Sequence, residues 1–223
     1  MKTLVFSDTH LTTTFKVDKY KFLEKIISGA DRVIIAGDFW EGKLITFDEF
    51  VNSEWKKLFP LLKSKKTVYV FGNHDKRNYS DNRVSIFSDV QKEIYEFKTD
   101  NMKFIVKHGD SKKLKYSFIK NVVQTTNMSE KFFTKYCHEK LEHILVKIFG
   151  KTILQILFYK YNKVLKNDEA IKLKDHEMLI CGHTHAATLD TKNHYANTGI
   201  IRHGIGQFIT IENGKVKLHE EKY

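Results

Sequence analysis

The sequence has one proline, two cysteines and no long uncharged apolar run. Cys137 and Cys181 lie 44 positions apart with no second pair, which argues against a disulfide framework or a thiolate zinc site and favours a reducing compartment. No stretch reaches the roughly 18 apolar residues of a membrane span. The first residues enter a strand at once, without the apolar segment of a signal peptide. We therefore expect a cytoplasmic protein.

The composition indicates one folded domain with an unusual basic segment. The 223 residues are 41% hydrophobic and carry a net charge of +11, which favours phosphate, nucleic acid or a lipid surface as partner. Residues 111–174 hold fourteen lysines against five acidic residues, without arginine or proline. Their part from Ile144 to Leu165 is apolar over more than one helical face. We interpret 111–174 as a helical cap inserted into a single domain, 1–223; a surface helical pair is the alternative.

Apolar runs in the first part of the chain predict alternating strands and helices. Strands are expected at residues 3–7, 32–36 and 67–71, with helices between them. Thr46 begins a capping box for the second helix, and Pro60 is expected to interrupt that helix late. This order is typical of an α/β layered sheet.

Later runs predict a second group of strands. A hairpin is expected at 93–98 and 102–107, a single strand at 177–181, and a further hairpin at 207–211 and 215–219. We expect these antiparallel strands to form a second sheet that packs against the first, with helices outside.

Polar side chains follow five of the predicted strands. They lie in five short motifs, namely Asp8-Thr9-His10, Gly37-Asp38-Phe39-Trp40-Glu41, Gly72-Asn73-His74-Asp75, His108-Gly109-Asp110 and Gly182-His183-Thr184-His185. Ligands of open α/β sheets bind beyond the carboxyl ends of the strands. Carboxylates, an amide and imidazoles without a thiolate suit manganese, iron, zinc or magnesium.

The spacing within the motifs predicts a pair of metal ions. Asp38 is the natural bridging ligand, because one carboxylate can bind two cations. Asp8 and His10, two apart at an extended strand end, are expected to point to one side and reach the same ion. His183 and His185 share this spacing and are able to reach different ions of a pair. Two metals about 3.5–4 Å apart clamp the attacking and leaving oxygens in phosphoryl transfer.

These five motifs, in this order, resemble those of the calcineurin-like metallophosphoesterases over residues 3–110 and 177–219. The resemblance implies an αββα fold, a two-sheet β-sandwich flanked by helices, with two divalent ions between the sheets, manganese in first place. It assigns one ion to Asp8, His10, Asp38 and His185, and the other to Asp38, Asn73, His108 and His183.

The same resemblance implies a mechanism for hydrolysis of a phosphodiester or diphosphate. A metal-bridging hydroxide would attack phosphorus. His74 would orient the phosphate and protonate the leaving oxygen, with Asp75 as the partner of its imidazole.

The insertion and the run Tyr195-Ala196-Asn197-Thr198-Gly199 resemble more narrowly the UDP-2,3-diacylglucosamine hydrolases of lipid A synthesis. In that subgroup a helical cap covers the acyl chains, and the enzyme works at the inner face of the membrane. The resemblance implies a lipid-linked nucleotide as substrate and an anionic membrane surface as partner. Many of those enzymes have arginine where this chain has His74, so another lipid-linked or nucleotide phosphoester stays open.

Two other functions compete with this one. A nuclease or nucleotide phosphodiesterase would bind nucleic acid through the basic insertion, although many large aliphatic residues there argue against a solvated groove. A non-catalytic binding module on the same scaffold would have lost several ligands, and none is missing from the five motifs.

Overall fold

The computed structural model describes residues 1–110, 144–150, 152–168 and 172–223. Most of the insertion expected at 111–174 therefore lies outside the described residues, and its role as a cap stays a prediction. No helix of the described ranges combines the length and apolarity needed to cross a bilayer.

The described strands form two sheets. In chain order they are β1 (Lys2–Phe6), β2 (Arg32–Ala36), β3 (Val68–Val70), β4 (Val90–Lys92), β5 (Ile94–Thr99), β6 (Met102–Lys107), β7 (Glu177–Cys181), β8 (Thr188–Asp190), β9 (Tyr195–Asn197), β10 (Ile201–Arg202), β11 (Ile205–Glu212) and β12 (Lys215–Lys222). The first sheet runs β10-β11-β1-β2-β3-β4, with β12 also paired to β11. The second runs β5-β6-β7-β9-β8.

Parallel strands lie at the centre of both sheets. In the first sheet β1, β2, β3 and β4 are parallel, and β11 joins antiparallel to β1. In the second sheet β6, β7 and β9 are parallel, while β5 and β8 are antiparallel at the edges. The carboxyl ends of β1, β2 and β3 therefore share one edge, as do those of β6 and β7.

Side chains point alternately to the two faces of each strand, and together they form three apolar layers. Between the sheets, Val5, Ile34 and Val70 pack in one cluster with Phe104 and Ile180 of the second sheet. The outward-facing residues of the first sheet pack under the first three helices, and those of the second sheet pack under the last. Because strand side chains alternate in direction, each central strand contributes to two layers.

Helices cover the outer face of each sheet. They are α1 (Val17–Ser28), α2 (Phe47–Asn52), α3 (Phe59–Ser64) and α4 (Thr152–Asp168); residues 144–149 are also helical. Phe22, Phe50 and Leu62 bring α1, α2 and α3 onto the first sheet. Leu165 of α4 packs on the second sheet with Leu179. The expected αββα architecture is confirmed.

Three expectations about the elements are wrong. Pro60 lies in the first turn of α3 rather than late in a longer helix, because a proline there removes no helical hydrogen bond. The hairpin of β11 and β12 belongs to the first sheet, and the second sheet is mixed rather than antiparallel. The strands β4, β8, β9 and β10 were not predicted, since two or three residues carry little periodic signal. The capping box of Thr46 and Glu49 is present as expected.

Candidate metal centre

The loops that follow β1, β2, β3, β6 and β7 meet at one end of the sandwich. Backbone hydrogen bonds join the first two loops, from His10 N to the Asp38 carbonyl at 3.0 Å and from Asp8 N to the Gly37 carbonyl at 3.1 Å. The Asp8 side chain reaches the last loop, where Oδ2 accepts from His183 N at 2.9 Å. All five motifs therefore contribute to one site.

Left-handed backbone, rather than an extended strand end, aims the candidate ligands. Positive φ angles occur at five of them, namely Asp8 (52°), His10 (45°), Asp38 (52°), His183 (68°) and His185 (58°). The expectation that strand alternation orients Asp8 and His10 is therefore wrong, although both do reach one group. Left-handed backbone costs an L-residue roughly 1–2 kcal/mol, and such strain clusters at functional sites.

Glycines let the loops approach each other. A Cβ on Gly182 would lie 2.5 Å from Asp8 Oδ2 and would also overlap Ser7 Oγ. Gly37 has a φ of 90°, and a Cβ there would overlap the ring of His108. The glycines that open these motifs are thus required by contact between loops.

Asp8 leaves one carboxylate oxygen for a ligand. Its Oδ2 accepts from Ser7 Oγ and from His183 N, whereas Oδ1 is buried without a hydrogen-bond partner. Oδ1 lies 3.3 Å from His185 Nε2 and 3.7 Å from His10 Nε2. Three potential ligand atoms from two sheets thus surround one point.

Hydrogen bonds fix which nitrogen of each imidazole faces this cluster. His10 Nδ1 lies 2.9 Å from Glu41 Oε2, so Nε2 is turned inward, buried and without a hydrogen-bond partner. His108 Nδ1 lies 3.0 Å from the Ala36 carbonyl, and its Nε2 is 3.0 Å from Asn73 Oδ1. A ring whose Nδ1 proton is held by an oxygen presents Nε2 as a metal ligand.

Asp38 lies between two groups of potential ligands. Its Oδ1 accepts from His74 N at 2.7 Å. Its Oδ2 lies 3.1 Å from His108 Nε2 and 3.7 Å from His10 Nε2. Among the described residues, one group consists of Asp8, His10 and His185 and another of Asp38, His108 and His183, each with ligand atoms within 4.8 Å of one another.

Glu41 joins a third such group, with His10 and His74. Its Oε2 lies 2.9 Å from His10 Nδ1 and 2.7 Å from His74 Nδ1. Because Glu41 is fully buried and its carboxylate already bonds both rings, we interpret this group as a support for the two imidazoles rather than as a third metal site.

Asp75 does not pair with the His74 ring as expected. It accepts from the backbone N–H groups of Asp38 at 3.0 Å, Phe39 at 2.6 Å and Gly72 at 2.7 Å. These bonds use both oxygens of the buried carboxylate and tie the loop after β2 to the loop after β3. Asp75 is therefore a loop clamp, and the His74 ring bonds Glu41 instead.

Burial and neighbouring charges shift the pKa of several residues in the site. Burial would raise the pKa of Asp8 and Asp38, but the surrounding histidines hold the pKa of both carboxyls well below the usual range. Burial lowers the pKa of His183 to about 4 and leaves it neutral, the form that binds metals. Burial would lower the pKa of His108 too, but the Asp38 carboxylate raises it to about 10.

The donor set fits divalent cations. Asp8 Oδ1 and His10 Nε2 are buried without a hydrogen-bond partner, which costs about 1–3 kcal/mol each, and a cation between them would satisfy both atoms. The set contains nitrogen and oxygen donors and no thiolate, as expected for manganese, iron, zinc or magnesium. Cys181, at the end of β7, is buried among apolar neighbours.

The sequence did not reveal the residues that orient the ligands from outside the motifs. Ser7 and the Ala36 carbonyl orient Asp8 and His108, and Asn162 of α4 bonds Thr184. Asn162 lies three residues before Leu165, so helical periodicity would have placed it on the buried face.

Replacing Glu41 with glutamine tests the support of the two imidazoles. A glutamine is neutral, so the hydrogen bonds that the single atom Oε2 makes to both rings lose the negative charge that strengthens them. We expect Mn²⁺ affinity, measured by calorimetry, to fall about 10–100-fold. The exposed Glu54→Gln variant is the matched control and should keep the wild-type affinity. Unchanged affinity in Glu41→Gln would contradict the supporting role.

Comparison with known proteins identifies the family of this chain. The family model for the calcineurin-like phosphoesterase superfamily domain matches residues 1–216. No curated protein matches the sequence.

Several solved structures resemble this chain at low sequence identity. They include an archaeal phosphodiesterase with 14% identity, a TM-score of 0.52 and full coverage of both chains. YfcE, a phosphoesterase from E. coli, has 12% identity and a TM-score of 0.48 over 96% of this chain and 89% of its own. Vps29 from Entamoeba histolytica, in complex with zinc, has 16% identity and a TM-score of 0.45 over 100% and 99%. Of these, the archaeal structure, with its TM-score of 0.52, supports the fold alone. The family match spans nearly the whole sequence, and the chain belongs to the calcineurin-like phosphoesterase superfamily.

Proposed function

We propose that the protein is a phosphoesterase that holds two divalent cations and hydrolyses a phosphodiester or diphosphate bond. The observation that carries the proposal is the position of Asp38 Oδ2, within 3.7 Å of an inward-facing nitrogen of each ligand group. One cation would be held by Asp8, His10, Asp38 and His185, and the other by Asp38, Asn73, His108 and His183.

Such cations, when bound, neutralise phosphoryl oxygens and lower the pKa of a coordinated water towards neutrality. The seven side chains supply four imidazoles and three oxygen-bearing groups. This mixture suits manganese, iron, zinc or magnesium, and we propose manganese first because the family resemblance implies it.

His74 would contact the substrate. Its side chain is 21% exposed, against 2% for His10 and 1% for His108. Glu41 holds its Nδ1, which leaves Nε2 for the phosphate. Without substrate, burial lowers the pKa of the His74 imidazole to about 4. An anionic phosphate beside the ring would favour its protonated form. The protonated Nε2 would then orient the phosphate and donate its proton to the leaving oxygen.

Alanine at Asp38 or at His183 tests the metal centre. Each change removes one candidate ligand, so we expect Mn²⁺-dependent hydrolysis of bis-p-nitrophenyl phosphate to fall by more than about 100-fold, beyond the effect of altering a supporting residue. Circular dichroism should show that both variants stay folded.

Matched controls for these substitutions are Asp48→Ala and His176→Ala, whose side chains are exposed. Both should retain the wild-type rate. Folded Asp38→Ala protein that hydrolyses the diester at the wild-type rate would refute the proposal.

The exposed side chains of the described helical residues support a lipid-linked substrate. Ile148, Phe149, Ile156 and Tyr159 are each more than 60% exposed. Exposed lysines lie among them, at positions 147, 160 and 163. Apolar chains together with anionic groups would suit this mixture, as in a UDP-diacylglucosamine at an anionic membrane surface.

A cavity of about 360 Å³ beside the Gly72–Asp75 loop offers room for the rest of the substrate. Its lining includes Phe71, Lys76 and Arg77. The same lining contains Glu93 and Asp110, and Arg77 Nε lies 3.3 Å from Glu93 Oε1, so this space does not itself select the charge of the substrate.

Substrate comparison distinguishes the lipid from other phosphoesters. With Mn²⁺ supplied, we expect UDP-2,3-diacylglucosamine to be hydrolysed with a higher kcat/KM than bis-p-nitrophenyl phosphate or single-stranded DNA. Preferred cleavage of DNA, with steep salt dependence, would instead indicate the nuclease. Cleavage of the generic diester alone would contradict the lipid substrate and leave the phosphoesterase proposal intact.

A further inference from the structure

The side chain of Asn162 reaches from α4 into the loop that follows β7. It is 9% exposed, and both ends of its amide are bonded. Nδ2 donates to the Ala186 carbonyl at 2.8 Å and to Thr188 Oγ1 at 3.1 Å. Oδ1 accepts from Thr184 Oγ1 at 2.6 Å and from the Tyr195 hydroxyl at 3.0 Å.

These hydrogen bonds hold the loop in place on both sides of His185. Thr184 precedes this histidine and Ala186 follows it, so a single amide fixes the two neighbours of a candidate ligand. Asn197 also stabilises the loop, because its Nδ2 donates to the Gly182 carbonyl at 2.7 Å and contacts Thr184 Oγ1 at 3.1 Å.

The loop needs such support because of its backbone. His183 and His185 both have left-handed φ angles, of 68° and 58°. Residues in that region persist where the surroundings over-determine them. Without its bonds to side chains, the segment would be free to relax towards right-handed or extended backbone, which would turn both imidazoles away from Asp8 and Asp38.

The helix that carries Asn162 is itself anchored. Leu165, one turn later on the same face, is 1% exposed and packs with Leu179 and Cys181 of β7. Lys166 Nζ lies 2.9 Å from Asp190 Oδ2 on β8. Asn162 is thus held at a fixed height above the second sheet by contacts that do not involve the loop.

We propose that Asn162 is a positioning residue for the metal centre, acting through Thr184 and Ala186 to hold His183 and His185 in their ligating orientation. This proposal rests on the proposed function, because it requires that the site binds metal. It makes α4, at the end of the inserted segment, a support of the active site in addition to any contact of the insertion with substrate.

The test is calorimetric titration of the metal-free full-length protein with Mn²⁺. We expect Asn162→Leu and Thr184→Val to weaken Mn²⁺ binding about 10–100-fold, as supporting residues of metal sites do. Ile27→Ala removes buried apolar contacts of α1 on the first sheet, away from α4 and from the loop after β7. It should lower the melting temperature without changing Mn²⁺ affinity, which separates positioning from general stability.

Thr184→Val deletes one hydroxyl at nearly constant shape and gives a folded variant should Asn162→Leu fail to fold. Wild-type Mn²⁺ affinity in folded Asn162→Leu or Thr184→Val would overturn the positioning role while leaving the phosphoesterase proposal intact. Absence of binding by the wild-type protein to Mn²⁺, Fe²⁺, Zn²⁺ and Mg²⁺ alike would overturn both.

Discussion

Several carboxylates and imidazoles are buried at one point between the two sheets, and this concentration of charge governs the surrounding structure. Burying an ionised carboxylate is costly unless the carboxylate is paired with another group or coordinates a metal. Asp8 and Asp38 are both almost fully buried, and one oxygen of Asp8 has no hydrogen-bond partner. The glycines, the left-handed residues and the loop clamp at Asp75 all serve to bring these groups together.

The ligand candidates depend on a surrounding layer of residues that hold them in place. Glu41 orients two imidazoles, the Ala36 carbonyl orients His108, and Ser7 occupies one oxygen of Asp8. Asn162 supports the last loop from outside the second sheet. These supports come from the end of β1, from β2 and its following loop, and from α4, so the geometry of the site depends on how both sheets and α4 pack.

The chemistry was easier to predict from the sequence than its geometry. The candidate ligands were identified because Asp, Asn and His residues follow the predicted strands in short motifs. Long apolar runs such as 32–36 and 177–181 form strands with the predicted bounds. The two predicted hairpins are confirmed, but pairing between distant strands did not follow from these runs: β11 pairs with β12 on one side and with β1, from the other end of the chain, on the other. The role of Asp75 was missed because a side chain that caps backbone amides looks the same in sequence as one that pairs with an imidazole.

The most direct test of the two-metal account is a crystal structure of the protein soaked in Mn²⁺, with anomalous scattering recorded to locate the ions. The account predicts two anomalous peaks about 3.5–4 Å apart. One should lie among Asp8, His10 and His185, the other among Asn73, His108 and His183, and Asp38 should contact both. No peak, or a single peak away from Asp38, would contradict it.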